Sequence, residues 1–149
     1  MDLLNDVPAF QQPYPFWFWN GKMQPAEIQR QIGIMHEAGI TEFVAHARTG
    51  LETPFLSEEW FDAVGAAVDA AERHGMRCWL YDEYNWPSGT AGMTITQNVR
   101  NREHFIGPDG RLQPERDEFR GLKSVDYLNP DCTRQFIEKC YLPYYDRFG

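Results

Sequence analysis

The sequence predicts an α/β fold in which short strands alternate with amphipathic helices. Three apolar runs, at residues 16–19, 41–45 and 77–81, are too short for helices and are typical of buried strands. Helical periodicity follows the first two runs, and each predicted helix ends at a glycine, Gly39 or Gly75. Strands joined by crossover helices are parallel, so the pattern favours a doubly wound sheet or a (β/α)-barrel.

The first strand and helix occupy residues 16–39. The apolar run FWFW is stopped by Asn20 and Gly21. Pro25 suits the first turn of a helix, and Glu27 would lie near the positive end of the helix dipole. The apolar stripe of this helix recurs at helical spacing and comprises Ile28, Ile32 and Met35.

The second strand, TEFVA, runs directly into a polar segment. His46 and Arg48 follow the run, where the end of a strand would present them. Ser57 is a good helix cap, and two glutamates follow it in the first turn. The apolar face of this second helix comprises Trp60, Phe61, Val64, Val68 and Ala71.

The third strand, predicted to be buried on both faces, ends in two carboxylates within the stretch WLYDEYNWPSGTAG. Because side chains alternate along a strand, Asp82 and Glu83 face the same way only if the strand has already ended. Asn85 and Trp86 beside them are typical of a pocket lining. Ligands of parallel α/β proteins bind beyond the carboxyl ends of the strands, so the stretch is a candidate site. Helix capping or pairing with arginine is the alternative.

The pattern changes after the third strand. Residues 93–124 are polar and mixed, which predicts an excursion from the regular fold. Within it, residues 108–110 (PDG) predict the turn of a small hairpin between 104–106 and 111–112.

A last helix is predicted to start at Asn129, which precedes Pro130 and Asp131. Pro143 is expected to end or kink this helix near Tyr141, because proline lacks the amide hydrogen that a helix interior requires.

A barrel is favoured over a doubly wound sheet because the first strand lacks the GxGxxG turn of a dinucleotide fold. Three strand and helix units are present, whereas closure requires eight. The predicted fold is therefore the first three units of an incomplete (β/α)8 TIM-type barrel. Residues 1–15 are predicted to be an irregular lead-in, and residues 16–149 a partial barrel domain with an excursion at about 93–128.

Charge and composition limit the partners. The chain of 149 residues carries a net charge of -8, which disfavours nucleic acid and anionic membranes. No stretch approaches the roughly 20 apolar residues of a membrane-spanning helix, and the amino terminus lacks the pattern of a signal peptide. We therefore expect neither a nucleic-acid nor a membrane partner, and this chain gives no support for export.

Cysteine and histidine spacing argues against a metal centre. The three cysteines have no CxxC spacing and predict neither a zinc site nor a disulfide framework: Cys78, Cys132 and Cys140. His46 could bind a metal with Asp82 or Glu83, but no HxH or HExxH spacing supports this. We expect no metal and no cofactor, and calcium held by carboxylates is the alternative.

Four blocks of the sequence together resemble one family. They are PFWFWNG, EAGITEFVAHARTGLETPFLSEEWF, GMRCWLYDEYNWPSGTAG and VDYLNP. They are similar to the amino-terminal part of the catalytic barrel of glycoside hydrolases that include bacterial alpha-L-rhamnosidases. The resemblance covers about residues 13–148 and is weakest between Met93 and Lys123. It implies a (β/α)8 barrel followed by accessory β-domains, hydrolysis of a terminal sugar from a polysaccharide, and full-length relatives that are exported or periplasmic.

By this resemblance, the strand-end positions that bind substrate are Asn20, His46, Arg48, Asp82, Glu83, Asn85 and Trp86. Glycoside hydrolysis needs two carboxylates, one on each side of the scissile bond. Asp82 and Glu83 are adjacent in sequence, so we do not expect them to lie on opposite sides of a bond. They remain the best catalytic candidates present. The resemblance places the general acid on a later strand beyond Gly149, so we expect the isolated chain to be inactive.

Three function classes follow from these expectations. The first is a glycosidase barrel segment that binds a terminal sugar. The others are a metal-dependent sugar isomerase or hydrolase barrel, and a carbohydrate-binding barrel fragment without turnover. In each class the partner is a carbohydrate. An open strand edge and an uncovered apolar face also predict that the chain needs the rest of a barrel or self-associates.

Overall fold

The structure, a computed structural model, describes residues 12–84, 86–114 and 123–149. The chain divides between Tyr81 and Asp82 into two compact units, and each is described by itself. Most of the predicted lead-in and part of the predicted excursion lie outside the described residues.

The first unit is a parallel three-stranded sheet whose strands alternate with helices. Its elements are β1 (Phe16–Gly21), α1 (Pro25–Glu37), β2 (Glu42–Leu51), α2 (Glu58–Arg73) and β3 (Arg77–Leu80). The strands lie in the order β1-β2-β3. The predicted alternation of parallel strands and crossover helices is confirmed.

Local sequence sets the ends of both helices. Pro25 is the first residue of α1, and the backbone of Gly39 beyond its end has a φ of 83°. The Ser57 side chain accepts a hydrogen bond from the Trp60 amide at 3.2 Å and so caps α2. Gly75 follows α2 with a φ of 65°. Both glycines adopt the left-handed conformation that terminates helices at little steric cost.

One face of the sheet packs against the helices. Trp19, Phe43 and Ala47 are buried on this face, together with the inward side chains of α1 and α2. The two helices contact each other. Right-handed crossovers between strands in the order β1-β2-β3 place both helices on the same face, which agrees with this contact.

β2 is longer than the sequence predicts. Its ladder with β1 continues past Ala45 to the pair Gly21 and Leu51. The predicted strand end before His46 is therefore wrong, and both His46 and Arg48 lie within the strand. β1 also extends through its polar residues to Gly21, and the register between the two strands shifts between Trp19 and Gly21 before pairing resumes at Leu51.

β3 is not buried on both faces as predicted. The Trp79 side chain is 52% exposed, and Leu80 is 37% exposed. Within the described residues β3 pairs with β2 alone, so it is an edge strand of this sheet. The Trp79 indole N–H donates to Glu42 Oε2 at 2.8 Å, which gives the exposed ring a polar anchor.

The second unit contains a hairpin and a helical segment. β4 (His104–Ile106) and β5 (Leu112–Pro114) pair antiparallel, which confirms the predicted hairpin. Three consecutive helical stretches follow: α3 (Pro130–Phe136), a π segment (Ile137–Tyr141) and α4 (Leu142–Phe148).

The last helix begins where predicted but does not end there. The Asn129 side chain accepts a hydrogen bond from the Asp131 amide at 3.0 Å and caps α3. Helical backbone nevertheless continues beyond Pro143, and the wider π segment precedes that proline. The proline therefore coincides with a change of helix type, because its missing amide hydrogen removes one bond of the regular ladder. No helix among the described residues is long and apolar enough to cross a membrane.

Candidate functional site

The predicted site residues divide between the two units. Asn20, His46 and Arg48 belong to the first unit, and Asp82, Glu83 and Trp86 belong to the second. Asn85 lies outside the described residues.

His46 lies among aromatic rings on the face of the sheet opposite the helices. The register places it beside Phe18 on β1, so both side chains lie on one face. The imidazole centroid is 5.5 Å from that of Phe18, 4.6 Å from that of Phe16 and 4.3 Å from that of Tyr81. These rings contribute to the complete burial of His46, although Phe16 and Phe18 remain 41% and 47% exposed.

The His46 imidazole has unused hydrogen-bonding capacity. Neither Nδ1 nor Nε2 has a hydrogen-bond partner among the residues that the structure describes. Burial lowers the pKa of His46 to about 4, and the positive charge of Arg48 contributes to the shift. At neutral pH the ring is therefore uncharged and offers one N–H donor and one nitrogen acceptor.

Arg48 and Asn20 border this face. The Arg48 guanidinium carbon lies 5.0 Å from the centroid of the Phe18 ring, a cation–π distance. Asn20 is exposed near the carboxyl end of β1. The first unit thus places a charged group against the aromatic rings that surround the neutral imidazole, and an exposed amide near the carboxyl end of β1.

In the second unit, groups from the π segment bind Asp82. The Tyr141 hydroxyl donates to Asp82 Oδ2, and the Cys140 thiol donates to the Asp82 carbonyl oxygen at 3.1 Å. The hydrogen bond to Asp82 raises the pKa of Tyr141 to about 12, with burial as the second cause. Asp82 is therefore engaged in organising its own unit.

Glu83 is a buried carboxyl group with one free oxygen. Its side chain is 2% exposed, and Oε1 accepts from the Gly89 amide, with a further backbone hydrogen bond from Thr90. Oε2 has no hydrogen-bond partner within the described ranges. Burial raises the pKa of Glu83 to about 7, and the charge of Asp82 adds to the effect. The group can hold or release a proton near neutral pH.

The loop that binds Glu83 is fixed by close packing at Gly89. Gly89 has a φ of 84°, and a Cβ at this position would lie 3.1 Å from Val125 Cγ1. The Tyr127 hydroxyl donates to the Ser88 carbonyl at 2.7 Å. Trp86, in the same loop, is 48% exposed. A backbone held in this way keeps the Gly89 amide directed at Glu83.

The described residues contain no group of three or more His, Cys, Asp or Glu side chains that could hold a metal ion. The three cysteines are free thiols. The calcium alternative remains a prediction.

Sequence reasoning missed several neighbours of the predicted residues. The sequence did contain a signal for Phe16 and Phe18. Side chains alternate along the strand FWFW, so these two residues face the opposite side of the sheet from Trp17 and Trp19. No sequence signal linked Tyr141 to Asp82, because the two residues are 59 positions apart and the sequence pattern between them is irregular.

Comparison with known proteins gives one partial match. A stretch of 66 residues is 36% identical to "Cysteine sulfinic acid decarboxylase" of Homo sapiens. The match covers 44% of this chain, and the chain spans only 12% of the length of that protein. No protein-family model matches the chain. No solved structure matches it.

These findings contradict the resemblance to alpha-L-rhamnosidase-like glycoside hydrolases. The matched relative is a decarboxylase, a different class of enzyme, and the assignment as a hydrolase or glycosidase is wrong. Three of the blocks that suggested the family contain a strand followed by a polar loop, and the fourth, VDYLNP, leads into α3. Parallel α/β proteins of many functions share this pattern, so it does not identify a reaction.

Proposed function

We propose that the first unit is a segment of a (β/α)8 barrel that binds a neutral carbohydrate without turning it over. In a barrel, helices cover the outside of the sheet and the opposite face points inward. The first unit has this asymmetry, with α1 and α2 on one face and the ring cluster of Phe16, Phe18 and His46 on the other.

The observation that supports the carbohydrate proposal is the burial of His46 without hydrogen-bond partners among the described residues. A neutral imidazole supplies one donor and one acceptor, which matches a sugar hydroxyl that both accepts and donates. The rings of Phe16 and Phe18 offer apolar faces to the C–H surface of a pyranose.

Binding requires a movement of the aromatic cover. His46 is fully buried, so Phe16 or Phe18 must rotate before a hydroxyl reaches the imidazole. Both rings are partly exposed, which leaves room for such a rotation. Arg48 and Asn20 would then bind further hydroxyl groups at the rim of the surface.

The second unit supplies a separate set of contacts for the same class of ligand. Glu83 Oε2 can accept from a hydroxyl or donate to one according to its protonation state, and Trp86 offers an exposed indole face. Asp82 organises the backbone beside them through Tyr141.

The test follows the His46 ring nitrogens by NMR while methyl glycosides of neutral hexoses are added. The His46 signals should report a neutral ring down to about pH 5 and should shift saturably with glycoside. The His46→Leu variant should lose binding, whereas the matched control His36→Leu, changed at an exposed position on α1, should retain it. Unchanged His46 signals at saturating glycoside, or full binding by the His46→Leu variant, would refute the proposal.

A further inference from the structure

Two histidines from different helices meet at one end of the first unit. His36 lies in the last turn of α1, and His74 is the residue that caps the carboxyl end of α2. Their ring centroids are 4.7 Å apart, and their ring planes are inclined by 34°. The two residues are far apart in sequence, so no spacing pattern indicates the pair.

The backbone that carries both histidines is held by helical hydrogen bonds. The Gly39 amide donates to the His36 carbonyl at 2.9 Å, and the His74 amide donates to the Ala70 carbonyl at 3.2 Å. The two helices contact each other. Side chains on packed helices are positioned more precisely than side chains on loops, so the approach of the two rings is a property of the fold.

The separation of the rings matches that of two ligands on one metal ion. A metal bound to an imidazole nitrogen at about 2.0 Å lies roughly 3.2 Å from the ring centroid, since a ring nitrogen is about 1.2 Å from the centre. Two such rings at metal angles of about 90–110° have centroids roughly 4.5–5.2 Å apart. The distance of 4.7 Å lies within this range. The inclination of 34° also allows both ring planes to pass through one ion, which parallel stacked rings do not.

An ion can reach the pair from solvent. The His36 side chain is exposed, and that of His74 is half-buried. His36 also lines a cavity of about 320 Å³ beyond the end of α1, together with Gly39 and Thr41. This volume corresponds to about ten water molecules in the liquid, at roughly 30 Å³ each. There is therefore room beside His36 for water molecules bound to a metal.

The charge around the pair favours a cation. Both histidines lie at carboxyl ends of helices, where the negative ends of the helix dipoles stabilise positive charge. The whole chain carries a net charge of -8. Arg73 in the last turn of α2 opposes this effect, but its side chain is exposed and its charge is screened by water and salt.

The ligand type selects the class of metal. Imidazole nitrogens suit zinc, copper and nickel, whereas calcium and magnesium prefer oxygen ligands. Since the described residues contain no group of three or more candidate ligands, the protein supplies two positions and water supplies the others. Such a site differs from a closed structural zinc site, which has four protein ligands.

We propose that His36 and His74 together bind one divalent transition-metal ion, with water in its remaining positions. The ion ties the carboxyl end of α1 to that of α2. The proposal does not rest on carbohydrate binding at His46, because it uses other residues and another class of ligand.

The experiment titrates the whole chain with nickel chloride by isothermal titration calorimetry and by NMR. Nickel should bind at one ion per chain, and the side-chain signals of His36 and His74 should broaden together because the ion is paramagnetic. An excess of calcium chloride should not displace nickel. The proposal is overturned if nickel does not bind, if either histidine signal stays sharp at saturation, or if calcium displaces nickel.

Variants test whether the two histidines share the ion. His36→Gln and His74→Gln should each weaken nickel binding about tenfold or more, because the remaining imidazole has lost its partner ligand. His104→Gln, the matched control, changes a half-buried histidine on β4 in the second unit and should leave the affinity unchanged. Urea unfolding without nickel checks that each variant is folded.

Two outcomes would contradict a shared site. If each histidine bound nickel by itself, each single variant would keep the wild-type affinity and lose half of the bound ions. Loss of nickel binding in the His104 variant would place the ion elsewhere in the chain.

Discussion

At the scale of single residues, Glu83 is held in an environment that favours its protonated form. Oε1 receives a backbone hydrogen bond from Gly89, and the Thr90 amide also favours the ionised form, but Oε2 is buried without a partner among the described residues. Burial disfavours the ionised carboxylate more than these amides favour it, so the pKa rises from 4.5 to about 7. Ionisation therefore destabilises the folded state.

We predict that Glu83→Gln flattens the pH dependence of stability. A carboxyl group whose pKa is higher in the folded state loses stability as pH rises from its unfolded pKa, 4.5, to its folded pKa, about 7. The loss in the free energy of unfolding should reach at most about 3 kcal/mol. The variant carries no charge at this position, so the difference from wild type should grow over this range in urea unfolding.

The matched control for this prediction is Glu72→Gln, which changes an exposed carboxylate on α2. Its free energy of unfolding should track that of the wild type at every pH. If Glu83→Gln and Glu72→Gln show the same pH dependence, Glu83 does not titrate in a buried environment.

At the scale of elements, the π segment brings two consecutive side chains to Asp82. The Cys140 thiol binds its carbonyl oxygen, and the Tyr141 hydroxyl binds its carboxylate. π-helical turns inside α-helices are rare and frequently occur at functional sites. Here the turn secures the first residue of the loop that also contains Glu83.

We predict that Tyr141→Phe lowers the free energy of unfolding by about 1 kcal/mol. The variant removes the hydroxyl that donates to Asp82 and keeps the ring, which is 51% exposed. Urea unfolding measures the change. Tyr145→Phe removes a hydroxyl from a ring that is 71% exposed and should have little effect, so equal losses in the two variants would speak against a specific role for the Asp82 contact.

Element types were more predictable from sequence than strand lengths. Helix starts follow from local chemistry, as at Ser57 and Asn129, whose side chains bind the first-turn amides. The end of β2 depends on pairing with β1 as far as Leu51, a contact with no local signature. Likewise, Asp82 and Glu83 were identified as a polar pair, but their different partners depend on residues distant in sequence.

At the scale of the whole molecule, the aromatic sheet face and the sheet edges remain open. Phe16, Phe18 and Trp79 are each more than 40% exposed. Among the described residues, β1 and β3 each pair with β2 alone, which leaves backbone donors and acceptors at both edges. Open strand edges and exposed aromatic surfaces promote association. The number of strands in the sequence was enough to predict these open edges. The local sequence pattern was not enough to identify a reaction.

We predict that the isolated chain self-associates at micromolar concentration. Light scattering after size-exclusion chromatography should show species larger than one chain, and Phe16→Thr should shift the distribution towards monomer. The control Ile34→Gln, which removes an apolar side chain that is 50% exposed on α1, should leave the distribution unchanged. A monodisperse monomer for the wild type would refute the prediction.

The π segment also limits which changes in chain length the protein can accept. A π turn contains one more residue than an α turn. Deleting one residue between 137 and 141 would therefore leave a regular α-helix, and the length of every loop would stay the same. The deletion would also rotate the residues after it, and Cys140 and Tyr141 could no longer both meet Asp82. Among natural variants, we therefore expect a one-residue gap here to be accompanied by loss of the acid at position 82.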